Sequence, residues 1–174
     1  MSALHVVVMG VAGCGKSVLG ARLAQLLGLP LIDGDGFHPE RNVRKMREGV
    51  ALTDDDRAGW LHRLGDELAA HPGGAVLACS ALKLSYRDAL RNSVPGLRFV
   101  HLALGQAQAQ QRVAARAGHF YPPSLVASQF QTLEDPAGEP HAFALDATLP
   151  VDELARQAAQ RLAGEGMQDL TMRN

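Results

Sequence analysis

The sequence predicts an α/β fold, a three-layer sandwich in which a five-stranded parallel sheet carries helices on both faces. Two observations lead there. Short apolar runs without polar alternation, as in strands buried on both faces, recur along the chain, and longer amphipathic segments separate them. The 174 residues hold no Ser/Pro/Gly-rich linker, internal repeat or low-complexity stretch, and roughly 100–200 residues is the usual size of one domain.

In chain order, residues 4–9 read as a continuously apolar strand, 16–27 as a helix and 29–33 as a second strand. A polar loop follows. Residues 55–70 are then a helix, because Trp60, Leu61, Leu64 and Leu68 have the spacing of a core-facing stripe. Strand 75–79, helix 83–92, strand 97–104 and helix 107–116 continue the alternation, which Pro122 and Pro123 interrupt within 118–124. Helix 125–133, strand 141–146 and helix 151–162 complete the pattern, leaving 163–174 as a flexible tail.

Composition excludes several classes. With 47% hydrophobic and 20% charged residues, a chain of this size buries roughly 70% of its unfolded surface. Its two cysteines, Cys14 and Cys79, need form no bridge. No run approaches the ~18 apolar residues of a membrane span, and no basic segment precedes the short apolar run at the N-terminus. A cytoplasmic protein without a membrane partner is expected. The net charge of -1 argues against general nucleic-acid binding. That total conceals blocks: residues 83–133 hold six basic residues against one acidic, and residues 134–174 three against eight. The basic block is the part suited to anions.

The strongest motif is Gly10-Val11-Ala12-Gly13-Cys14-Gly15-Lys16-Ser17, a G-x-x-x-x-G-K-[ST] phosphate-binding loop between an apolar strand and a helix. Its glycines let backbone N–H groups approach phosphate oxygens, and the following helix start adds positive potential. Lys16 is placed to reach the β- and γ-phosphates of ATP, and the Ser17 hydroxyl to coordinate Mg²⁺. Cys14 reads as a small loop residue. Asp33-Gly34-Asp35-Gly36 formally fits the D-x-x-G pattern of a GTPase, but no N-K-x-D occurs to read guanine. Two carboxylates after the second strand suit phosphoryl transfer, one supporting the metal and one accepting or orienting the acceptor hydroxyl. Strand alternation would send Asp33 and Asp35 to the same side.

Beyond the loop, the chain carries Asp33-Gly34-Asp35-Gly36-Phe37-His38-Pro39, Asn42 with Lys45-Met46, and Leu52-Thr53-Asp54-Asp55-Asp56-Arg57. It also carries Cys79-Ser80-Ala81-Leu82-Lys83 with Tyr86-Arg87-Asp88, Gly118-His119-Phe120, and Gln129-Phe130 with Thr132-Leu133-Glu134. Together these resemble the gluconokinases of the thermoresistant bacterial type, over about residues 4–162. The resemblance implies the shikimate-kinase-like P-loop kinase fold with strand order 2-3-1-4-5, a lid at about 117–128, and a homodimer. It implies transfer of the ATP γ-phosphate to the 6-hydroxyl of D-gluconate, with Mg²⁺. Asp35 becomes the substrate-side and Asp33 the metal-side carboxylate, or the reverse. Ala12 and Cys14 stand where the family commonly has Ser or Thr; neither supplies the lysine or the metal hydroxyl.

Gluconate is a hydroxylated anion, so its pocket needs a fixed cation. Arg57, Lys83 and Arg87 are the candidates, each near the start of a helix on the ligand-binding edge of the sheet. For Arg57 an ion pair with Asp54 or Asp55 is the competing reading; for Lys83 and Arg87 it is a solvated helix face. His38 is either a hydroxyl contact or a loop-stabilising group. Arg112 and Arg116, spaced i, i+4, share a helix face leading into the lid and would serve ATP, unless they are an exposed pair. His119, in the lid itself, is placed to touch either ligand and counts among the candidate substrate contacts. By fold analogy the segment 146–150 borders the adenine. The seven histidines form no set with zinc spacing. A sibling kinase acting on shikimate or adenylylsulfate, and an ATP-binding module without transfer, remain the alternatives.

Overall fold

A computed structural model describes residues 3–116, 122 and 124–172. Five parallel strands, β1 (Leu4–Met9), β2 (Leu31–Asp33), β3 (Gly74–Ala78), β4 (Arg98–Ala103) and β5 (Ala142–Asp146), lie in the order β2-β3-β1-β4-β5. The helices are α1 (Lys16–Leu27), α2 (Glu40–Arg47), α3 (Asp54–Ala69), α4 (Leu84–Ser93), α5 (Gln106–Ala115), α6 (Ser124–Thr132) and α7 (Val151–Thr171).

The order explains the two covering layers. Parallel crossovers are right-handed, so the β1-to-β2 connection, which runs opposite to the others, puts α1 on one face and the later crossover helices on the other. Accordingly α1 packs on α7 and over β1 and β3, while α3 packs on α4 and against β3. Strands covered on both faces cannot alternate: Val6, Val7, Val8 and Met9 are all fully enclosed, as are Ala75, Val76 and Leu77. Chain direction diverges on either side of β1, and at such a switch point the carboxyl ends of the strands leave a crevice. The loops after β1 and β3 meet there, Gly10 N donating to Ser80 O at 3.3 Å.

Three expectations need correction. The polar loop before α3 contains α2, with Glu40 in its first turn and Arg44, Lys45 and Arg47 in its last, charges that suit the helix dipole. Only Asn42 and Met46 of its eight residues are buried, too few for an apolar period. The stretch read as a tail is helical through Thr171: Glu165 pairs with Arg98 at 2.7 Å and anchors the added turns. Gly164 and Gly166 are poor helix formers, so the helix is weakly written in the sequence there. Lastly, β2 ends at Asp33 and Gly34–Phe37 form a 3-10 turn, so strand alternation does not reach Asp35. At the start of α3, Thr53 and Asp56 form a reciprocal capping box.

Candidate active site

The phosphate loop is built by backbone conformation. Gly10 (φ 149°) and Gly13 (φ 82°) occupy positive-φ positions. A Cβ on Gly10 would stand 2.9 Å from Leu102 O, and one on Gly13 2.9 Å from Ala109 O, so the loop lies too close to β4 and α5 for any side chain there. Gly15 caps α1 without a side-chain bond, and the N–H groups of a helix's first turn, so uncapped, suit an anion. Lys16 Nζ donates to Val11 O at 3.1 Å, curling over the loop. Ala12 N donates to Gln129 Oε1 at 2.6 Å, which ties α6 to the same loop.

Two cavities meet at this loop. Lys16, Ser17, Asp35, His38, Arg57, Trp60, Ser80, Ser128 and Gln129 are among the residues lining the first, and Val18, Leu19, Arg112, Leu149 and Leu154 among those lining the second. Gly13, Gly15 and Arg116 border both. One cavity is therefore polar and the other largely apolar, with the phosphate cradle between them.

The 3-10 turn positions the acceptor side. Asp33 Oδ1 accepts from Asp35 N at 3.2 Å, so Asp33 caps the turn, and Asp35 rather than Asp33 reaches the cavity wall. Gly34 backs onto β3, where a Cβ would meet Ala78 O at 2.6 Å, and its carbonyl accepts from Trp60 Nε1 at 2.8 Å. His38 stacks on Trp60 with centroids 4.0 Å apart. Burial, with Arg57 nearby, holds the His38 imidazole down at a pKa of about 4. It is neutral at pH 7, and Asn42 Nδ2, 3.3 Å from Nδ1, makes Nδ1 the acceptor and Nε2 the proton carrier. Asn42 Nδ2 also donates to Asp56 O at 2.9 Å. Asp56 itself is lowered to about 2, first by the Lys45 hydrogen bond and then by Thr53.

The candidate cations separate. Arg57 lines the polar cavity, its Nη1 donating to Leu52 O and Tyr86 Oη at 2.9 Å each. Lys83 pairs with Asp54 at 3.1 Å, and the polar cavity is bounded without it. Arg87 requires correction: it is 0% exposed and grips Glu139 in a fork while donating to Ala81 O and Glu134 O. Its guanidinium braces the 134–139 segment and is closed to substrate. Arg112 donates to Gly13 O and Ala147 O, fixing it in the apolar cavity beside the loop. Arg116 ends α5 at the junction of the cavities. His119 and the rest of 117–121 lie outside the described residues. Sequence reasoning gave no role to Gln129 or Tyr86, which signalled only through the motifs that contain them; Trp60, expected in the core-facing stripe of its helix, is buried there and also borders the polar cavity. Among the described residues no His/Cys/Asp/Glu group has the makings of a metal cage, and no helix is long and apolar enough to cross a membrane.

A β2-β3-β1-β4-β5 sheet bearing this loop, with a polar cavity on one side of the cradle and an apolar one on the other, defines a P-loop kinase of small molecules. The family model for shikimate kinase matches residues 12–134. The thermosensitive gluconokinase of Escherichia coli K12 is 39% identical, covering 88% of this chain and 84% of its own. The gluconokinase of Gluconobacter oxydans 621H is 46% identical over 76% of each. A crystal structure of a gluconokinase from Sinorhizobium meliloti 1021 superposes with a TM-score of 0.88 and 46% identity, covering 98% of this chain and 97% of that one. The chain belongs to the gluconokinase family, within the wider shikimate kinase group. Shikimate kinase from Acinetobacter baumannii, at 16% identity and a TM-score of 0.66, shares the fold alone.

Proposed function

We propose that this protein is a single-domain ATP-dependent gluconokinase, transferring the γ-phosphate of ATP to the 6-hydroxyl of D-gluconate to give 6-phosphogluconate and ADP. The observation that carries this reading is the meeting of the two cavities at the phosphate loop, with Arg57 and Asp35 on the polar side. Adenosine takes the apolar side beside Arg112, the triphosphate crosses the loop, and gluconate fills the polar side. Arg57 is the cation for its carboxylate, and neutral His38 presents Nε2–H as a hydroxyl contact.

In the transfer, the gluconate oxygen forms a bond to the γ-phosphorus while the bond from that phosphorus to the β,γ-bridging oxygen breaks. The hydroxyl proton passes toward Asp35, and ADP leaves with the bridging oxygen. Lys16 and Arg116 face the charge that develops on the phosphoryl oxygens, and Arg112 braces the loop through Gly13 O. The residues present fit Mg²⁺ held mainly by phosphates and water: the exposed Ser17 hydroxyl lies in the cavity wall, and a kinase site of this kind has no need of an all-protein cage. Ser17 is the ligand assigned to it, and it would supply charge neutralisation across the β- and γ-phosphates. Asp33 acts behind Asp35 as the cap of the turn. A lid at about 117–128, including His119, closes the site against water. The reading includes a cytoplasmic homodimer, on the strength of the family resemblance, and light scattering in solution checks the dimer.

The test is an ADP-release assay with gluconate, shikimate and adenylylsulfate as acceptors. Gluconate alone should stimulate ADP release, with 6-phosphogluconate as product. Release that ignores gluconate, or prefers either other acceptor, overturns the proposal.

A further inference from the structure

We infer that Tyr86 is a positioning residue for acceptor binding: its hydroxyl orients the Arg57 guanidinium so that one hydrogen-bonding edge stays open for a carboxylate. This rests on the proposed role of Arg57. The two protons of Arg57 Nη1 go to Leu52 O and Tyr86 Oη, both at 2.9 Å. Nε and Nη2 then have no protein partner among the described residues, and they form the edge that binds carboxylates side-on. Arg87 shows that geometry within the same fold, gripping Glu139 through Nε and Nη2.

Donor and acceptor roles leave Tyr86 one arrangement. Its oxygen accepts from Arg57, so its proton goes to Asp54 Oδ1 at 2.5 Å. Lys83 Nζ holds the same carboxylate at 3.1 and 3.3 Å. The order Lys83, Asp54, Tyr86, Arg57 is a relay of position from the start of α4 to the cavity wall, and it gives Lys83 an indirect role. Burial pushes the Tyr86 phenol upward and the Asp54 hydrogen bond pushes it the same way, so it stays protonated and able to donate. Only 4% of Tyr86 is exposed, so its ring is packed and its hydroxyl orientation is set by these partners. The Arg57 guanidinium also lies 5.3 Å from the ring centroid, a contact that Phe would retain.

Steady-state kinetics of Tyr86→Phe, Arg57→Ala and the double variant test the inference, with gluconate and ATP varied separately and folding followed by thermal melting. Tyr86→Phe should raise the gluconate KM about tenfold while changing kcat by less than about twofold, the pattern of lost binding rather than lost chemistry. The ATP KM should not move. Arg57→Ala should raise the gluconate KM further, and the double variant should match Arg57→Ala, since orientation means nothing once the guanidinium is gone. An unchanged gluconate KM in Arg57→Ala overturns the role of Arg57 itself. A raised KM in Arg57→Ala with a normal one in Tyr86→Phe, or additive effects, overturns the role of Tyr86 alone. Should Tyr86→Phe fold poorly, Asp54→Asn at the exposed end of the relay should raise the same KM a few fold, and no rise there also rejects the inference.

Discussion

Replacing Glu139 with Ala would leave Arg87, the most enclosed charge among the described residues, without its counterion. The Arg87 side chain is 0% exposed and that of Glu139 14%, joined by contacts of 2.9 and 2.6 Å. Removing one partner of a buried pair costs about 3–5 kcal/mol. The lower end applies, because Arg87 keeps Ala81 O and Glu134 O as acceptors and water can enter where Glu139 was. In a chain of 174 residues, about 3 kcal/mol lowers the melting temperature by roughly 6–12 °C. The effect should depend on pH. Burial pushes the Glu139 carboxyl up, but hydrogen bonds from Arg87 and Arg91, with their charges, outweigh it and hold the group below its usual 4.5. A depressed carboxylate contributes stability above its unfolded value and loses it as pH falls through the native value, so the gap between wild type and variant should close in acid. Scanning calorimetry at neutral and acidic pH measures both effects. Arg87→Met with Glu139→Gln should recover part of the loss, since it leaves no buried charge. The reasoning is refuted if Glu139→Ala melts within about 2 °C of wild type, or if stability holds while the gluconate KM rises tenfold.

Asp35→Ala should lower kcat by about 10²–10⁴ while ATP binding, read by calorimetric titration, stays near normal; ordinary turnover would remove Asp35 from the proton-accepting role. For His38, whose native value of about 4 lies below the ordinary 6.5, the unfolded chain takes up the proton first, so stability should fall as pH drops from 6.5 toward 4. His38→Asn should flatten that part of the profile, and equal slopes would show that another group is responsible. Gly34→Ala places a Cβ 2.6 Å from Ala78 O and should destabilise by about 1–3 kcal/mol in urea unfolding; a neutral effect would mean the turn shifts freely. Cys79, fully buried with its thiol pushed up to about 12, should resist iodoacetamide in the native enzyme at pH 8 and react in urea, as peptide mapping would show.

The parts of the site that are made of backbone were legible because their chemistry is local. Gly10, Gly13, Gly15, Lys16 and Ser17 all fall within one eight-residue stretch, and such a loop between an apolar strand and a helix has few other uses. The sheet was legible because strands buried on both faces write themselves as unbroken apolar runs. What sequence could not show was which side chain a cation faces. Arg57 and Arg87 have the same chemistry and both begin helices at the ligand edge, yet one lines the cavity and the other is enclosed. The difference lies in Glu139, 52 residues from Arg87 along the chain. The 3-10 turn was hidden for another reason: Asp33 caps it through its own side chain, and D-G-D-G fits a turn or a strand end equally well.

The two charge blocks take on a different meaning once those partners are known. The basic segment 83–133 invited the reading that its cations serve anionic ligands. Three of its six are held by the acidic segment that follows, Arg87 and Arg91 on Glu139 and Arg98 on Glu165, and Lys83 is held by Asp54. Arg112 and Arg116 are the pair that lines the ligand cavities. The acidic block thus has work to do: it pairs with the cations of α4 and β4, while Arg112 and Arg116 stay on the cavity walls. Arg87, in the first turn of α4 at the ligand-binding edge, would compete for the same anions if uncompensated, whereas Arg98 opens β4 at the opposite end of the sheet and its pairing with Glu165 serves the fold. If Arg57 takes the acceptor carboxylate as proposed, the neutralising of Arg87 by Glu139 leaves Arg57 without that rival at the same edge of the sheet.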